Sequence, residues 1–144
     1  GIAAGEAMSR YISKNGITID RVYCSAAQRT RQTYALIKEP LGKAKVTFRS
    51  NLYLIDAGDL IGFISKIPDK FESAMIVGHN PGIHMAALRL AAAAADGHDE
   101  ALAAMTRKFP TGALCTLEFN VTHWQNAARE SGTLTAFVRP RFLD

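Results

Sequence analysis

The 144 residues are 48% apolar and 21% charged, which is ordinary for a globular domain and excludes a disordered chain. A formal charge of +4 favours anionic ligands only weakly, and no Lys/Arg run is long enough to indicate a nucleic-acid-binding arm. Because no apolar stretch reaches membrane-spanning length, we expect one domain over residues 1–144 that binds neither nucleic acid nor membrane.

The chain opens on Gly1, without an initiator methionine, and passes directly into a helical pattern. Apolar residues recur at helical spacing from Ile2 to Ile12, and Asn15-Gly16 is a typical helix end. We therefore expect the native protein to contain residues before Gly1.

A short apolar strand is predicted within Ile17–Ser25, followed by a helix over Ala26–Ile37 that stops at the nearby proline and glycine. Arg29 falls in the first turn of this helix, just beyond the carboxyl end of the strand. A guanidinium at this place can hold a phosphate or carboxylate bidentately, beside the positive end of the helix dipole. Arg31 is two residues further on and is expected to face elsewhere. The alternative for both arginines is an ordinary solvated side chain.

Val46–Arg49 alternates like a further strand, and a partly apolar loop, Asn51–Asp56, comes after it. Asp59 is predicted to cap the next helix, which ends before Pro68. Asp56, in the loop before that cap, is a candidate general acid. The alternative is a solvated loop carboxylate.

The segment Ala74–Val77 reads as a buried strand and runs directly into Gly78-His79-Asn80-Pro81-Gly82 and a helix. Ligands of open α/β sheets bind at the carboxyl ends of strands, where His79 stands. Asn80 is a suitable helix cap, and Pro81 suits the first helical position, where no N–H is needed. The alternative is that His79 is a turn residue without a chemical role.

The helix is expected to continue through the alanine-rich run to the polar loop Asp96–Glu100, with a short helix over Ala101–Met105 after it. Two β runs, Ala113–Phe119 and Thr133–Val138, predict a hairpin at one side of the sheet.

Cysteine and histidine spacing indicates no metal site and therefore no metal cofactor. Cys24 and Cys115 fall in predicted strands without a CxxC partner, which favours buried thiols in a reducing compartment and a cytoplasmic protein. His84, His98 and His123 read as ordinary exposed or helix-face histidines.

Taken together, the strand ending at Cys24-Ser25 with Arg29 four residues later, and the strand ending at Gly78-His79-Asn80-Pro81, resemble the histidine phosphatase superfamily. This superfamily is also called phosphoglycerate mutase-like, and the closest resemblance is to the small SixA-type phosphohistidine phosphatases. The resemblance covers nearly the whole chain and implies an α/β/α sandwich with a mostly parallel central sheet. It makes Arg29 a phosphate-binding residue and His79 the second active-site histidine. It also implies that Ser25 and Asn80 lie at the substrate pocket.

The chain departs from the family pattern in one respect. The family nucleophile is a histidine in an Arg-His-Gly motif at the end of the first, central strand, and none of the four histidines here follows an arginine at a strand end. We therefore expect that strand to be absent from this chain, which leaves a strand-wide gap beside the strand that ends at His79. Arg29 and His79 should still face one pocket.

The resemblance implies that the full-length protein is a phosphatase that works without cofactor or metal through a phosphohistidine intermediate, and that this chain alone is inactive. Its substrate is then a phosphorylated small molecule or a phosphohistidine protein. Two alternatives stay open: a module of the same fold that binds a phosphorylated ligand without turnover, and a structural α/β domain.

Overall fold

The computed structural model of the chain describes residues 1–127 and 130–143, so the predicted 1–144 domain is covered except for three positions. Within these residues the chain forms five α-helices and six strands. The helices are α1 (Ile2–Lys14), α2 (Gln28–Ile37), α3 (Ala57–Ser65), α4 (Gly82–Leu90) and α5 (Asp99–Arg107). The strands are β1 (Arg21–Ser25), β2 (Lys45–Arg49), β3 (Ala74–Val77), β4 (Ala91–Ala94), β5 (Leu114–Phe119) and β6 (Gly132–Val138).

The strands form two sheets of three strands each. In the first sheet β1 lies between β2 and β3, and both pairings are parallel. In the second sheet β6 lies between β4, which is parallel to it, and β5, which is antiparallel. The mostly parallel α/β fold, the late antiparallel pair and the interruption of the sheet agree with the sequence prediction.

A cavity of about 340 Å³ lies at the interruption between the sheets. It is lined by Met75–Val77 of the edge strand β3 and by Leu114 at the start of the edge strand β5. Side chains of α1 and α2 complete its apolar wall, among them Met8, Ile12 and Ile37. The cavity therefore lies where the sequence predicts a missing central strand.

Helices cover both faces of the first sheet because its side chains alternate. Val22 of β1 packs into a cluster with Met8, Ile12 and Ile37 of α1 and α2. Tyr23, the next residue, belongs to a different cluster that includes Leu60 and Ala86 of α3 and α4. Successive residues of a strand point to opposite faces, so β1 carries one core on each side and the structure has three layers. Among the described residues no helix is long and apolar enough to cross a membrane.

The prediction of a helix through the alanine-rich run is wrong. The helix α4 ends at Leu90, and Ala91–Ala94 forms β4, parallel to β6. The helix preference of alanine is at most about 0.7 kcal/mol per residue over other ordinary residues, so pairing with a neighbouring strand overrides it. Gly132 of β6 permits the approach, since a Cβ there would lie only 2.8 Å from the Leu90 carbonyl oxygen.

Candidate active site

Two neighbouring parallel strands bring the main polar residues together. β1 ends at Ser25, and β3 ends at Val77, two residues before His79. In the register of this pair Cys24 lies opposite Val77, so the residues that follow both strands leave the sheet at the same edge. This edge is where the sequence predicts a binding site.

The imidazole of His79 is held by Ser25. The His79 Nε2 lies 2.8 Å from the Ser25 Oγ, and Ser25 is completely buried. The Ser25 Oγ also accepts the Ala27 N–H at 3.3 Å, and the Ser25 carbonyl accepts the Thr30 hydroxyl at 2.8 Å. Residues at the start of α2 thus hold both the hydroxyl and the carbonyl of Ser25. A Ser25 hydroxyl that is fixed in this way also fixes the position of the His79 ring. Ser25 is therefore a support for His79 in this structure.

Arg29 lies in the first turn of α2, is exposed, and lines the same cavity as His79. Burial of the ring, and to a lesser extent the positive charge of Arg29, lower the pKa of His79 below its ordinary value of 6.5. Both effects favour the neutral form of the imidazole in the free protein. One cationic and one neutral donor thus face one cavity at the edge of the sheet.

Arg31 faces away, as its position two residues after Arg29 predicts. Its Nε donates to the Ala26 carbonyl at 2.8 Å, and its guanidinium lies 4.0 Å from the centre of the Phe48 ring. Arg31 is not among the residues that line the cavity.

Asn80 lines the cavity, but it does not cap α4 as predicted, because Pro81 occupies the cap position. The Asn80 side-chain amide instead donates to the Phe109 carbonyl at 2.8 Å. The first helical N–H groups find backbone acceptors, as Ile83 shows by donating to the His79 carbonyl at 2.9 Å. Asn80 therefore connects the turn at His79 to the segment 109–114, which also lines the cavity.

The family model described as "Histidine phosphatase superfamily (branch 1)" matches residues 1–80, which contain Ser25, Arg29 and His79. The chain belongs to the histidine phosphatase superfamily. An uncharacterized protein of Mycobacterium leprae is 31% identical over 142 residues, which are 98% of this chain and 84% of that protein.

Solved structures of SixA proteins resemble this member of the histidine phosphatase superfamily. A protein of Nakamurella multipartitia, assigned as a phosphohistidine phosphatase SixA, is 25% identical with a TM-score of 0.81, over 96% of this chain and 81% of that one. The protein histidine phosphatase SixA complexed with tungstate has the same fold, with a TM-score of 0.71 at 16% identity over 95% of this chain and 79% of that one. The predicted superfamily and its SixA-type branch are thereby confirmed, and the chain is a member of a phosphatase family.

The predicted N-cap of α3, Asp59, lies three residues after the observed one. Asp56, not Asp59, is the N-cap: its Oδ1 accepts the Asp59 N–H at 2.8 Å. A cap residue keeps extended dihedral angles before the helix, which Asp56 has at φ −77° and ψ 168°. Asp56 is exposed and does not line the cavity, so its place in the structure gives no support to the predicted role as general acid.

Substitutions of Asp56 distinguish a role as helix cap from a role as general acid. Asp56→Ala should lower the free energy of unfolding by about 1 kcal/mol, because an N–H of the first turn of α3 loses its acceptor. Asp56→Asn should keep most of the stability, since an amide oxygen also caps, and it should keep phosphatase activity. Denaturant unfolding and steady-state rates of both variants measure this. A stable Asp56→Asn protein whose activity is lost would instead support the general acid.

His84 and His123 bond other groups, and neither thiol is available as a nucleophile. His84 Nε2–H donates to the Met105 carbonyl at 2.6 Å, and His123 Nδ1 lies 2.9 Å from a carboxylate oxygen of Asp69. Burial raises the pKa of Cys24 to about 11 and that of Cys115 to about 12, so neither supplies a thiolate nucleophile at neutral pH. No three His, Cys, Asp or Glu side chains within residues 1–127 and 130–143 are grouped as metal ligands.

Sequence reasoning assigned no role to Tyr53, whose ring lies beside His79. The two ring centroids are 5.2 Å apart and the planes meet at 84°. No residue spacing in the sequence predicts this contact, because the loop that carries Tyr53 and the turn at His79 come together only in the folded state.

Proposed function

We propose that the full-length protein removes the phosphoryl group from a protein phosphohistidine through a phosphohistidine enzyme intermediate. The observation that carries this proposal is the pair formed by His79 and the buried Ser25, 2.8 Å apart, beside Arg29 at one cavity. The SixA proteins with the same fold are named as phosphohistidine or protein histidine phosphatases, which supports this substrate over a small phosphomonoester.

The charges suit a phosphoryl group in transfer. Such a group spreads negative charge over three equatorial oxygens, so fixed donors aimed at those oxygens lower the barrier. Arg29 supplies a permanent positive charge that can bind two oxygens at once. His79 adds a ring N–H, and a bound dianion favours its protonated form. The residues at this edge therefore bind and stabilise the transferring group without acting as nucleophile.

We propose that the nucleophile is a histidine that precedes Gly1 in the full-length protein. His79 is already assigned to the phosphoryl oxygens, and His84, His98 and His123 each contact a backbone carbonyl or a carboxylate. The matched residues make up 84% of the Mycobacterium leprae relative, which is therefore longer than the matched region. The cavity between β3 and β5 is the place from which such a histidine would reach the phosphoryl group.

In the proposed reaction a neutral imidazole nitrogen attacks phosphorus in line with the leaving group. A P–N bond to the enzyme forms as the P–N bond of the substrate breaks; the leaving imidazole nitrogen keeps the electron pair of that broken bond and takes a proton from solvent. Water then attacks phosphorus and the P–N bond to the enzyme breaks. The oxygen of the water stays on inorganic phosphate, and the released enzyme imidazole nitrogen takes up one proton. Arg29 and His79 hold the same oxygens in both steps, which keeps the phosphoryl group aligned.

The test is to trap the intermediate. Full-length protein is mixed with a ³²P-labelled phosphohistidine protein in the presence of EDTA and quenched in alkali. We expect a phosphoenzyme that is stable to alkali and labile to acid, with the label on a peptide upstream of Gly1. The chain from Gly1 onward should bind phosphate without turnover.

Three results would contradict the proposal in different ways. Label on His79 would make this residue the nucleophile. Loss of activity in EDTA, with recovery on addition of a divalent ion, would show a metal requirement. Tight binding of the phosphohistidine protein by the full-length protein without release of phosphate would favour the non-catalytic binding module.

A further inference from the structure

Tyr53 contacts His79 and is at the same time exposed. Its ring stands edge to face with the imidazole of His79, with centroids 5.2 Å apart. Yet 53% of the residue is exposed, and the next residue, Leu54, is 58% exposed. Aromatic rings usually bury most of their surface, so an exposed ring beside an active-site histidine is open to a further partner.

The loop that carries Tyr53 is anchored on both sides. Leu52, the preceding residue, is 1% exposed, and the Tyr53 N–H donates to the Ser50 carbonyl at 3.1 Å. On the other side, the backbone of Gly82 packs so closely on the Ile55 carbonyl that a Cβ at position 82 would collide with it. The exposure of Tyr53 is thus imposed by an ordered backbone.

Leu54 supports the same conclusion. It has a φ of 51°, in the left-handed region that residues other than glycine seldom adopt. Because the Leu54 side chain is exposed, its packing offsets little of the conformational cost of this backbone geometry. Local strain of this kind persists where the surrounding structure fixes the backbone, and it is concentrated at functional sites.

The position of Tyr53 relative to the cavity indicates what it contacts. His79 lines the cavity, whereas Tyr53 meets the imidazole from outside it. If the nucleophile attacks from the cavity, as the proposed function requires, in-line geometry directs the leaving group out of the cavity on the opposite side of the phosphoryl group. A leaving group that exits on the side of His79 away from the cavity would pass the exposed ring of Tyr53.

We propose that Tyr53 is a specificity-determining residue that packs against a planar, unsaturated leaving group such as the imidazole of phosphohistidine. This inference rests on the proposed function and names the part of the substrate that is recognised. Tyr53 holds the leaving group, whereas Arg29 and His79 hold the phosphoryl oxygens. An aromatic contact of this kind favours an aromatic over an aliphatic substituent by roughly threefold to tenfold.

The experiment compares two phosphonates that are not hydrolysed, at a pH above the second pKa of both, so that each binds as a dianion. Dissociation constants of phenylphosphonate and ethylphosphonate are measured by calorimetry on the full-length protein. We expect the phenyl compound to bind roughly threefold to tenfold more tightly. Tyr53→Leu should reduce this ratio to about one, and Tyr53→Phe should retain it, because the contact needs the ring and not the hydroxyl. Leu54→Ala, which changes the neighbouring exposed residue, is the matched control and should leave the ratio unchanged.

The outcomes separate the inference from the proposed function. Equal affinity of the wild-type protein for both phosphonates, or an unchanged ratio in Tyr53→Leu, would overturn the role of Tyr53 while the phosphate site stands. Loss of the ratio in Leu54→Ala would show that the loop as a whole, and not the Tyr53 ring, sets it. If neither phosphonate binds, or if Arg29→Ala binds ethylphosphonate as tightly as the wild type, the proposed function fails and this inference fails with it.

Discussion

Arg29→Ala is expected to lower kcat/KM of the full-length protein for a phosphohistidine substrate by about 100- to 1,000-fold. Arg29 lies in the first turn of α2, lines the cavity with His79, and is the permanent cation of the proposed site. In the proposed function its contact with the phosphoryl oxygens would strengthen as charge builds up on them, so its loss should lower kcat as well as affinity. Arg29→Lys should recover part of the rate, because it restores the charge but not the bidentate geometry.

Arg31→Ala is the matched control for Arg29→Ala. It removes the same charge from the same helix, but the Arg31 side chain bonds the Ala26 carbonyl and lies over Phe48 outside the cavity. We expect kcat/KM to change by less than about threefold, with a stability loss of about 1 kcal/mol. Steady-state rates and denaturant unfolding of both variants provide the comparison. Equal losses of rate in the two variants would mean that net charge, and not a specific contact, is responsible.

His79→Gln is expected to lower kcat/KM by about 100-fold or more. Glutamine keeps a polar group near the buried Ser25 hydroxyl. The change therefore mainly removes the ring nitrogen that is proposed to face the phosphoryl group, together with its capacity to become charged. His98→Gln serves as the control, since His98 lies immediately before α5, does not line the cavity, and contacts the Asp96 carbonyl. A His79→Gln protein with wild-type kinetics would remove His79 from the site.

Proton uptake on anion binding shows whether His79 becomes protonated at the site or has only a structural role. Burial and Arg29 lower the pKa of His79 in the free protein, and a bound dianion raises it, so binding takes up a proton between the two pKa values. Sulfate affinity should therefore increase as the pH falls through that interval and level off below the free pKa. Calorimetry in buffers of different ionisation enthalpy measures the uptake. The uptake should disappear in His79→Gln and persist in His98→Gln.

The site edge could be predicted because local pattern and topology agree there. A buried strand that runs directly into a glycine, a histidine and a helix is compatible with few folds. If the strand before Arg29 is parallel to it, both strands end at the same edge of the sheet. The structure brings Arg29 and His79 to one cavity in the way this argument requires. Ser25 was placed near the pocket without a role, and its hydrogen bond to His79 supplies one.

The errors arise where contacts distant in sequence decide the local structure. Ala91–Ala94 has a strong helix preference, and only its ladder with β6 makes it a strand. Asp56 and Asp59 are both good cap residues three positions apart, and the fold selects the first. Tyr53 was missed because its contact with His79 depends on the close packing of two loops, which no periodicity encodes.

The division of the strands into two sheets has a consequence for how the molecule opens. Ser25 ends β1, Arg29 lies in the helix after it, and His79 follows β3, so all three belong to the first sheet and its connections. Asn80 contacts Phe109, and the chain from Phe109 leads into β5 of the second sheet. Hydrogen bonds within each sheet break cooperatively, so in this chain, which lacks the predicted central strand, we expect the two sheets to open separately. Transient loss of the second sheet would then leave Ser25, Arg29 and His79 in register on the first. A central strand that filled the gap would pair with both sheets and would couple their opening.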